Sequence, residues 1–128
     1  MNKKKYDIII IGGGIIGCAI AYSLSKKLRV SIAVIEKENE IAKHASGRNS
    51  GVIHTGFYYT PGSLKARFCV EGNKRLINYC IEGNIPYKKT GTLVVGKSQK
   101  DKKSLEILLK RGKKNNVPGI RIINKKEL

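Results

Sequence analysis

The sequence predicts an α/β fold whose first part is a strand–helix–strand unit. Three observations lead to this prediction: an apolar β-branched run at residues 6–11, a glycine-rich turn directly after it, and a second apolar run at residues 31–36. Continuous apolar strands of this kind are typical of parallel sheets that are covered on both faces. The chain has 128 residues, which suits one domain better than two complete ones.

The turn after the first strand has a nucleotide-binding pattern. Residues 12–17 read GGGIIG, which fits G-x-G-x-x-G, and residues 19–27 continue as a helix. The first glycine permits a tight turn, the second lets backbone N–H groups approach a pyrophosphate, and the third lets the helix pack closely on the sheet. The helix start also offers N–H donors and a positive dipole end to an anion. We therefore predict cofactor contacts at Gly12, Gly14, Ile15, Ile16 and Gly17.

The second strand ends in a carboxylate at the position that a dinucleotide site needs. Glu36 lies 19 residues after Gly17, where an acid accepts hydrogen bonds from the ribose hydroxyls. Because an acidic group there disfavours a 2′-phosphate, NADP is the least favoured dinucleotide. Lys37 is predicted to contact the cofactor beside Glu36. A structural glycine turn in an unrelated α/β protein is the alternative, but it does not explain Glu36 at this spacing.

The same region also resembles a signal peptide or a short membrane span. The stretch from Ile8 to Ser25 is uncharged and follows a lysine-rich start. Asp7 precedes this stretch, and the three glycines at residues 12–14 interrupt it in a way that a stable helix does not tolerate. The nucleotide-binding interpretation therefore explains the region better.

The segment after the second strand favours FAD over NAD. Residues 37–60 show no periodic element, whereas an NAD enzyme would have another regular helix there. Long loops in compact domains are usually functional or disordered, and the aromatic residues and two histidines of this one argue against disorder. We therefore expect the loop to form a second surface for the same ligand.

Three stretches of the sequence resemble one known family. Residues 49–59, 61–72 and 85–95 are similar, in this order, to the L-2-hydroxyglutarate oxidase/dehydrogenase branch of the FAD-dependent oxidoreductases, which have a glycine-oxidase-like, D-amino-acid-oxidase-type fold. The resemblance implies an incomplete α/β architecture. Residues 1–84 would form the N-terminal βαβ part of a Rossmann-like FAD-binding domain, and residues 85–128 would begin an α+β substrate-binding domain.

The resemblance also implies a cofactor, a substrate and a reaction. FAD would lie with its pyrophosphate over residues 12–17 and its ribose near Glu36. The family removes a hydride from the hydroxyl-bearing carbon of L-2-hydroxyglutarate, a 2-hydroxy dicarboxylate, and gives 2-oxoglutarate. Electrons then pass to oxygen or to a membrane electron carrier. The turn that passes the flavin side would consist of Arg48, Asn49, Ser50 and Gly51.

Of the two histidines, His54 is the predicted catalytic residue. An imidazole can take the substrate's hydroxyl proton near neutral pH as the hydride leaves. The alternative role for His54, a structural histidine that holds the loop by hydrogen bonds, is equally compatible with the sequence. For His44 we favour a solvated or loop-structural role.

The remaining sequence predicts four further elements. Residues 62–82 form an amphipathic helix, which places Lys65 and Arg67 on its wet face rather than at the substrate. Residues 92–96 and 120–123 are predicted strands, and residues 101–114 a second amphipathic helix. Family members are several hundred residues long, so we expect this chain to be an N-terminal fragment that is inactive alone.

The three cysteines predict no metal site and no disulfide framework. Cys18, Cys69 and Cys80 match no zinc spacing, and their odd number suits no set of disulfides. Inert thiols in a reducing compartment fit them better, and we therefore expect a cytoplasmic location.

The net charge of +17 first suggests a nucleic-acid partner or an anionic membrane surface. Lysine outnumbers arginine 20 to 6, however, whereas base readout and phosphate binding favour arginine. A composition bias towards lysine, isoleucine and asparagine explains the charge better, and we expect no nucleic-acid partner. Peripheral association with the inner membrane is retained as an expectation. Two alternative functions stay open. One is a related FAD oxidoreductase that acts on an amino acid or glycerol 3-phosphate, and the other is a small basic module that binds nucleic acid or a membrane surface.

Overall fold

A computed structural model describes residues 4–127 of the chain. The described residues form two compact units, one ending at Gly51 and the other beginning at Val52. The first unit contains β1 (Ile8–Ile11), α1 (Ile15–Lys27) and β2 (Ile32–Ile35). The second contains α2 (Leu64–Glu82), α3 (Gln99–Lys114) and a closing 3₁₀ turn (Lys125–Glu127). The predicted mixed α/β class is confirmed.

The first unit is the predicted strand–helix–strand arrangement. β1 and β2 are parallel neighbours, in register from Ile8 opposite Ile32 to Ile11 opposite Ile35. A polar contact fixes this register at the strand starts, where the Asp7 carboxylate accepts hydrogen bonds from the Ser31 amide at 2.8 Å and its hydroxyl at 2.7 Å. These bonds lower the pKa of the Asp7 carboxyl, the hydroxyl bond being the larger cause.

The sheet exposes apolar side chains on both strands. Ile9 and Ile11 of β1 are 56% and 88% exposed, and Ile35 of β2 is 52% exposed. Parallel strands are normally covered on both faces, and a two-stranded sheet is marginally stable in water. The sheet therefore has the composition of a parallel sheet that is covered on both faces, whereas among residues 4–127 nothing covers the face that contains Ile9 and Ile11.

α1 is a short helix with an apolar exposed flank. It begins after Gly14, which has no side chain to cap it. It ends with Lys26 and Lys27, whose positive charges interact favourably with the negative end of the helix dipole. The region that resembled a membrane span is thus divided between β1, a turn and α1. Across residues 4–127, no helix combines the length and the apolar character needed to cross a bilayer.

The second unit contains two capped helices. The Ser63 hydroxyl accepts the Ala66 amide at the start of α2, and Ser98 and Asp101 form a reciprocal capping box at the start of α3. The apolar side chains that are buried among residues 4–127 lie in this unit and belong to Ala66, Cys80 and Val117. The helices predicted over residues 62–82 and 101–114 are confirmed, with slightly different starts.

The two strands predicted in the second unit are wrong. Residues 92–96 and 120–123 have no strand conformation, although both are apolar and β-branched. A strand needs a neighbour to accept and donate its backbone hydrogen bonds. Among the described residues no such neighbour pairs with either segment, and residues 81–100 are all exposed. The predicted domain boundary after residue 84 is a separate matter and stays a prediction.

The three cysteines are free thiols, of which that of Cys80 is buried. Burial also raises the pKa of the Cys69 thiol. No group of metal-ligating side chains occurs among residues 4–127.

Candidate functional site

The glycine-rich turn requires glycine at two positions for different reasons. Gly12 has a φ of +104°, a conformation that L side chains rarely adopt, and its amide donates to the Ile35 carbonyl at 2.7 Å. Gly17 lies in the first turn of α1, where a Cβ atom would lie 2.0 Å from the Gly12 carbonyl oxygen. The helix start therefore lies directly against the end of β1, as close packing of the motif demands.

Glu36 is connected to the glycine-rich turn by a hydrogen bond. Its Oε2 accepts the Gly13 amide at 2.6 Å, and its Oε1 accepts the amides of Lys37 at 2.9 Å and Glu38 at 3.1 Å. The Gly13 bond is the main cause that lowers the pKa of the Glu36 carboxyl below its usual 4.5. A charged carboxylate at this position can accept hydrogen bonds from sugar hydroxyls on its remaining lone pairs.

Ser46 caps α1 from a distant part of the chain. Its hydroxyl oxygen accepts the Ile15 amide, the first N–H of the helix, at 2.9 Å. Gly14 is also close, since a Cβ atom there would lie 3.2 Å from the Ser46 hydroxyl. Sequence reasoning did not select Ser46 because 31 residues separate it from Ile15 and no motif fixes that spacing. The only signal was a small polar residue in the long loop.

The loop that contains Ser46 folds back onto the glycine-rich turn. The Ala42 amide donates to the Gly13 carbonyl at 3.1 Å. The Asn49 side chain donates to the Ser46 carbonyl at 2.7 Å and accepts the Gly51 amide at 2.8 Å. These bonds give the loop a defined conformation. Residues 37–60 contain turns and bends but no regular helix, as predicted.

A cavity of about 500 Å³, widely open to solvent, lies between the turn, α1 and this loop. It brings together six of the predicted site residues: Gly12, Gly14, Ile15, Ile16, Gly17 and Asn49. Its other lining residues are Ile10, Ile11, Ile20, Ala45 and Ser46. The wall thus combines a helix start, which favours an anion, with exposed apolar side chains.

The other predicted contacts of the first unit lie outside the lining of this cavity. Glu36 reaches the turn through Gly13. Lys37 pairs with Glu38 at 3.5 Å, and Arg48 and Ser50 are exposed on the loop beside Asn49. His44, the histidine of this unit, forms a hydrogen bond with the Glu38 carboxylate at 2.8 Å. This contact agrees with the loop-structural role favoured for His44.

His54 lies at the start of the second unit with an exposed side chain. Its carbonyl oxygen accepts the Asn73 side-chain amide at 3.1 Å and the Cys69 thiol at 3.5 Å, so α2 holds its backbone. Its ring meets the Tyr58 ring edge-on, with 6.4 Å between the ring centres. The imidazole is therefore accessible while the backbone beneath it is fixed.

α3 holds the next part of the same loop. The Asn115 side chain donates to the carbonyls of Gly56 at 3.1 Å and Tyr59 at 3.0 Å, and Arg111 donates to the Tyr58 carbonyl at 3.2 Å. The Tyr58 hydroxyl donates to that of Tyr59, and this bond raises the pKa of Tyr58. More than 50 residues separate these contacts in sequence, which is why sequence reasoning missed Arg111 and Asn115.

Lys65 and Arg67 are exposed on α2, as predicted for its wet face. The Arg67 guanidinium lies over the Phe68 ring, 5.2 Å from its centre. This contact is within α2 and leaves both charges facing solvent.

The chain is similar to known proteins over nearly its whole length. An L-2-hydroxyglutarate dehydrogenase of Dictyostelium discoideum is 47% identical over 98% of the chain, and one of Nematostella vectensis is 49% identical over 97%. The enzyme of the same name from the bacterium Indibacter alkaliphilus is 46% identical over 96% of the chain. The first two relatives are named as mitochondrial.

The chain spans 28%, 27% and 31% of the length of these three relatives. Residues 7–128 also match the family described as FAD dependent oxidoreductase. The match covers nearly the whole chain, including both compact units. The chain therefore belongs to the family of FAD-dependent oxidoreductases.

Proposed function

We propose that this chain provides part of the FAD site of an enzyme that oxidises L-2-hydroxyglutarate to 2-oxoglutarate. The observation that supports the proposal most directly is the glycine-rich turn, with the start of α1 on one side and the Glu36 carboxylate bonded to it on the other. The names of the relatives support the substrate.

The described residues fit the adenosine and pyrophosphate half of FAD. A Cβ atom at Gly17 would collide with the Gly12 carbonyl, so the turn keeps backbone rather than side chains at the helix start. In the proposal, Gly12, Gly14, Ile15, Ile16 and Gly17 hold the pyrophosphate, and Glu36 and Lys37 contact the ribose side. The flavin side is assigned to Arg48, Asn49, Ser50 and Gly51, the loop that folds back near α1.

Ser46 can act together with the helix start. Its hydroxyl oxygen accepts the Ile15 amide, which leaves the hydroxyl proton free to be donated. The negative charge of a pyrophosphate at this place is favoured by the positive end of the α1 dipole.

His54 is the proposed proton acceptor of the reaction. Bound FAD would supply the hydride acceptor for the substrate carbon. The exposed imidazole takes the hydroxyl proton of the substrate, and α2 positions the residue through the Asn73 bond to its carbonyl. The electron acceptor after the flavin is proposed to be oxygen or a membrane electron carrier.

The proposal also covers the architecture and the compartment. Residues 1–84 are assigned to the Rossmann-like FAD-binding domain, and residues 85–128 to the beginning of the substrate-binding domain. We place the protein in the cytoplasm, in peripheral contact with the inner membrane. Since the chain spans less than a third of its relatives, we expect it to bind the ADP half of FAD and to be inactive alone.

Ligand titration of the purified chain tests the cofactor assignment. We expect ADP and FAD to bind and NADP to bind at least tenfold more weakly, about 1.4 kcal/mol, because Glu36 would face the 2′-phosphate. Glu36→Gln should weaken ADP binding, while the matched control Glu40→Gln, which removes an exposed acid paired with Lys43, should not. Equal binding of NADP and FAD would contradict the assignment.

Turnover of the purified chain tests the expectation that it is inactive alone. We expect no oxidation of L-2-hydroxyglutarate by the 128-residue chain with added FAD. Yellow protein that oxidises this acid would confirm the substrate and overturn the expectation that the chain is inactive alone.

A further inference from the structure

The outward face of α3 is a concentrated patch of positive charge. The helix has six lysines in 16 residues, whereas α2 has two in 19. All six are exposed: Lys100, Lys102, Lys103, Lys110, Lys113 and Lys114. Lysine is thus more than three times as frequent in α3 as in α2, which makes the patch a local feature of α3.

The side of α3 opposite the patch faces its own compact unit. Gly112 is buried, and a Cβ atom there would lie 2.3 Å from the Ile120 side chain and 3.2 Å from that of Phe57. Leu105, Leu108 and Leu109 share this half-buried side at helical spacing. The lysines are thereby held on the solvent side over a helix about 24 Å long.

The charge of the patch is not neutralised within the described chain. The four Lys and Arg ion pairs of residues 4–127, and the His44–Glu38 contact, all lie outside α3. Glu106 is the one acid on the outward face, since Asp101 is occupied by the capping box. The patch therefore has a net charge of about five, concentrated within a few Debye lengths.

We propose that the outward face of α3 is a docking surface for an anionic lipid bilayer. Clusters of four to eight basic residues on an amphipathic helix bind anionic headgroups through additive electrostatic attraction. Ile107, 51% exposed among these lysines, adds an apolar contact suited to the headgroup boundary. Nucleic acid is a less suitable partner, because the patch has neither the arginine forks that read bases nor the aromatic side chains on which bases stack.

This surface rests on the peripheral membrane contact included in the proposed function, and it would carry that contact. Vesicle co-sedimentation of the full 128-residue chain tests the surface without flavin or substrate, so its failure would leave the proposed cofactor and reaction untouched. Phosphatidylcholine vesicles with phosphatidylglycerol are compared with phosphatidylcholine vesicles alone. We expect binding only to the anionic vesicles, and release as salt is raised. The triple variant Lys103→Gln, Lys110→Gln, Lys114→Gln should lower the partition coefficient about a hundredfold, since each lysine contributes about fivefold.

A matched variant distinguishes a docking surface from overall charge. Lys65→Gln, Lys74→Gln, Lys88→Gln removes the same charge from exposed sites outside α3 and should lower binding much less. Circular dichroism of both variants confirms that each is folded. Equal losses in the two variants, no binding to anionic vesicles, or tighter binding of a DNA duplex than of vesicles at the same salt would each overturn the proposal.

Discussion

At the scale of single residues, the candidate site depends on a few hydrogen bonds to backbone amides. Glu36 accepts three amides and Ser46 accepts one, and all four amides lie at or beside the glycine-rich turn or the end of β2. Such bonds to a carboxylate favour its charged form. Each side chain thus fixes backbone that the sequence motif alone leaves undefined.

The pKa of Glu36 predicts a pH dependence of stability. Because the folded-state pKa lies below the unfolded value of about 4.5, the carboxylate stabilises the fold above that pH. This contribution is lost as the pH falls through the lower, folded-state pKa. Carboxyl NMR titration should therefore place the Glu36 pKa below 4.5, and the urea midpoint of the chain should fall on acidification.

Two variants distinguish the contribution of Glu36 to this pH dependence from that of the other acids. Glu36→Gln should reduce the acid-induced fall of the urea midpoint, whereas Glu40→Gln should leave it unchanged. A Glu36 carboxyl that titrates at or above 4.5 would show that the Gly13 bond is absent in solution.

Ser46→Ala should destabilise the first unit. The variant removes the acceptor of the Ile15 amide at a helix that has no cap of its own, and loss of a cap costs about 1 kcal/mol. Urea unfolding followed by circular dichroism measures the change. Ser46→Thr, which keeps the hydroxyl, is the control, and equal stability of the alanine variant and the wild type would show that Ser46 does not cap α1.

At the scale of elements, helices and strands differ in how much of their structure is local. The ends of α2 and α3 follow from their own capping residues, so the sequence pattern located both helices to within two residues. The strands at residues 92–96 and 120–123 have a suitable composition but lack a pairing neighbour among residues 4–127, which a single segment cannot reveal. β1 and β2 formed as predicted because α1 brings them together.

The same distinction between local and distant contacts determines which residues of the candidate site could be predicted. The glycines and Glu36 belong to a motif with fixed spacing, so their proximity could be read from the sequence. Ser46, Arg111 and Asn115 act through contacts to residues 31 to 59 positions away. Only the folded chain shows these contacts, since no local pattern determines which carbonyl or amide each side chain reaches.

Two glycine substitutions should have opposite effects on helix stability. Gly17→Ala in α1 places a Cβ atom 2.0 Å from a backbone oxygen, which should cost about 1–3 kcal/mol and abolish ADP binding. Gly72→Ala in α2 meets nothing within 4 Å and should add about 0.5–1 kcal/mol. Urea unfolding and ADP titration measure both, and a Gly17→Ala variant that binds ADP normally would contradict the close approach.

At the scale of the whole molecule, the large positive net charge dominates the electrostatics. The chain has twenty-six basic residues and nine acidic ones. The four Lys and Arg ion pairs among residues 4–127 are all between exposed side chains, and such pairs contribute little to stability. A compact state with a large net charge is destabilised by self-repulsion.

Salt should therefore stabilise this protein. Raising the ionic strength weakens both the ion pairs and the self-repulsion, and with a net charge of +17 the loss of repulsion is the larger effect. The urea midpoint should rise between low salt and about 0.15 M NaCl, where the Debye length is about 8 Å. Urea is the appropriate denaturant because, unlike guanidinium chloride, it adds no ions.

The variant with Lys103, Lys110 and Lys114 changed to Gln should show a smaller rise, since it has less repulsion to screen. A midpoint that falls with added NaCl would mean that the ion pairs outweigh the net charge.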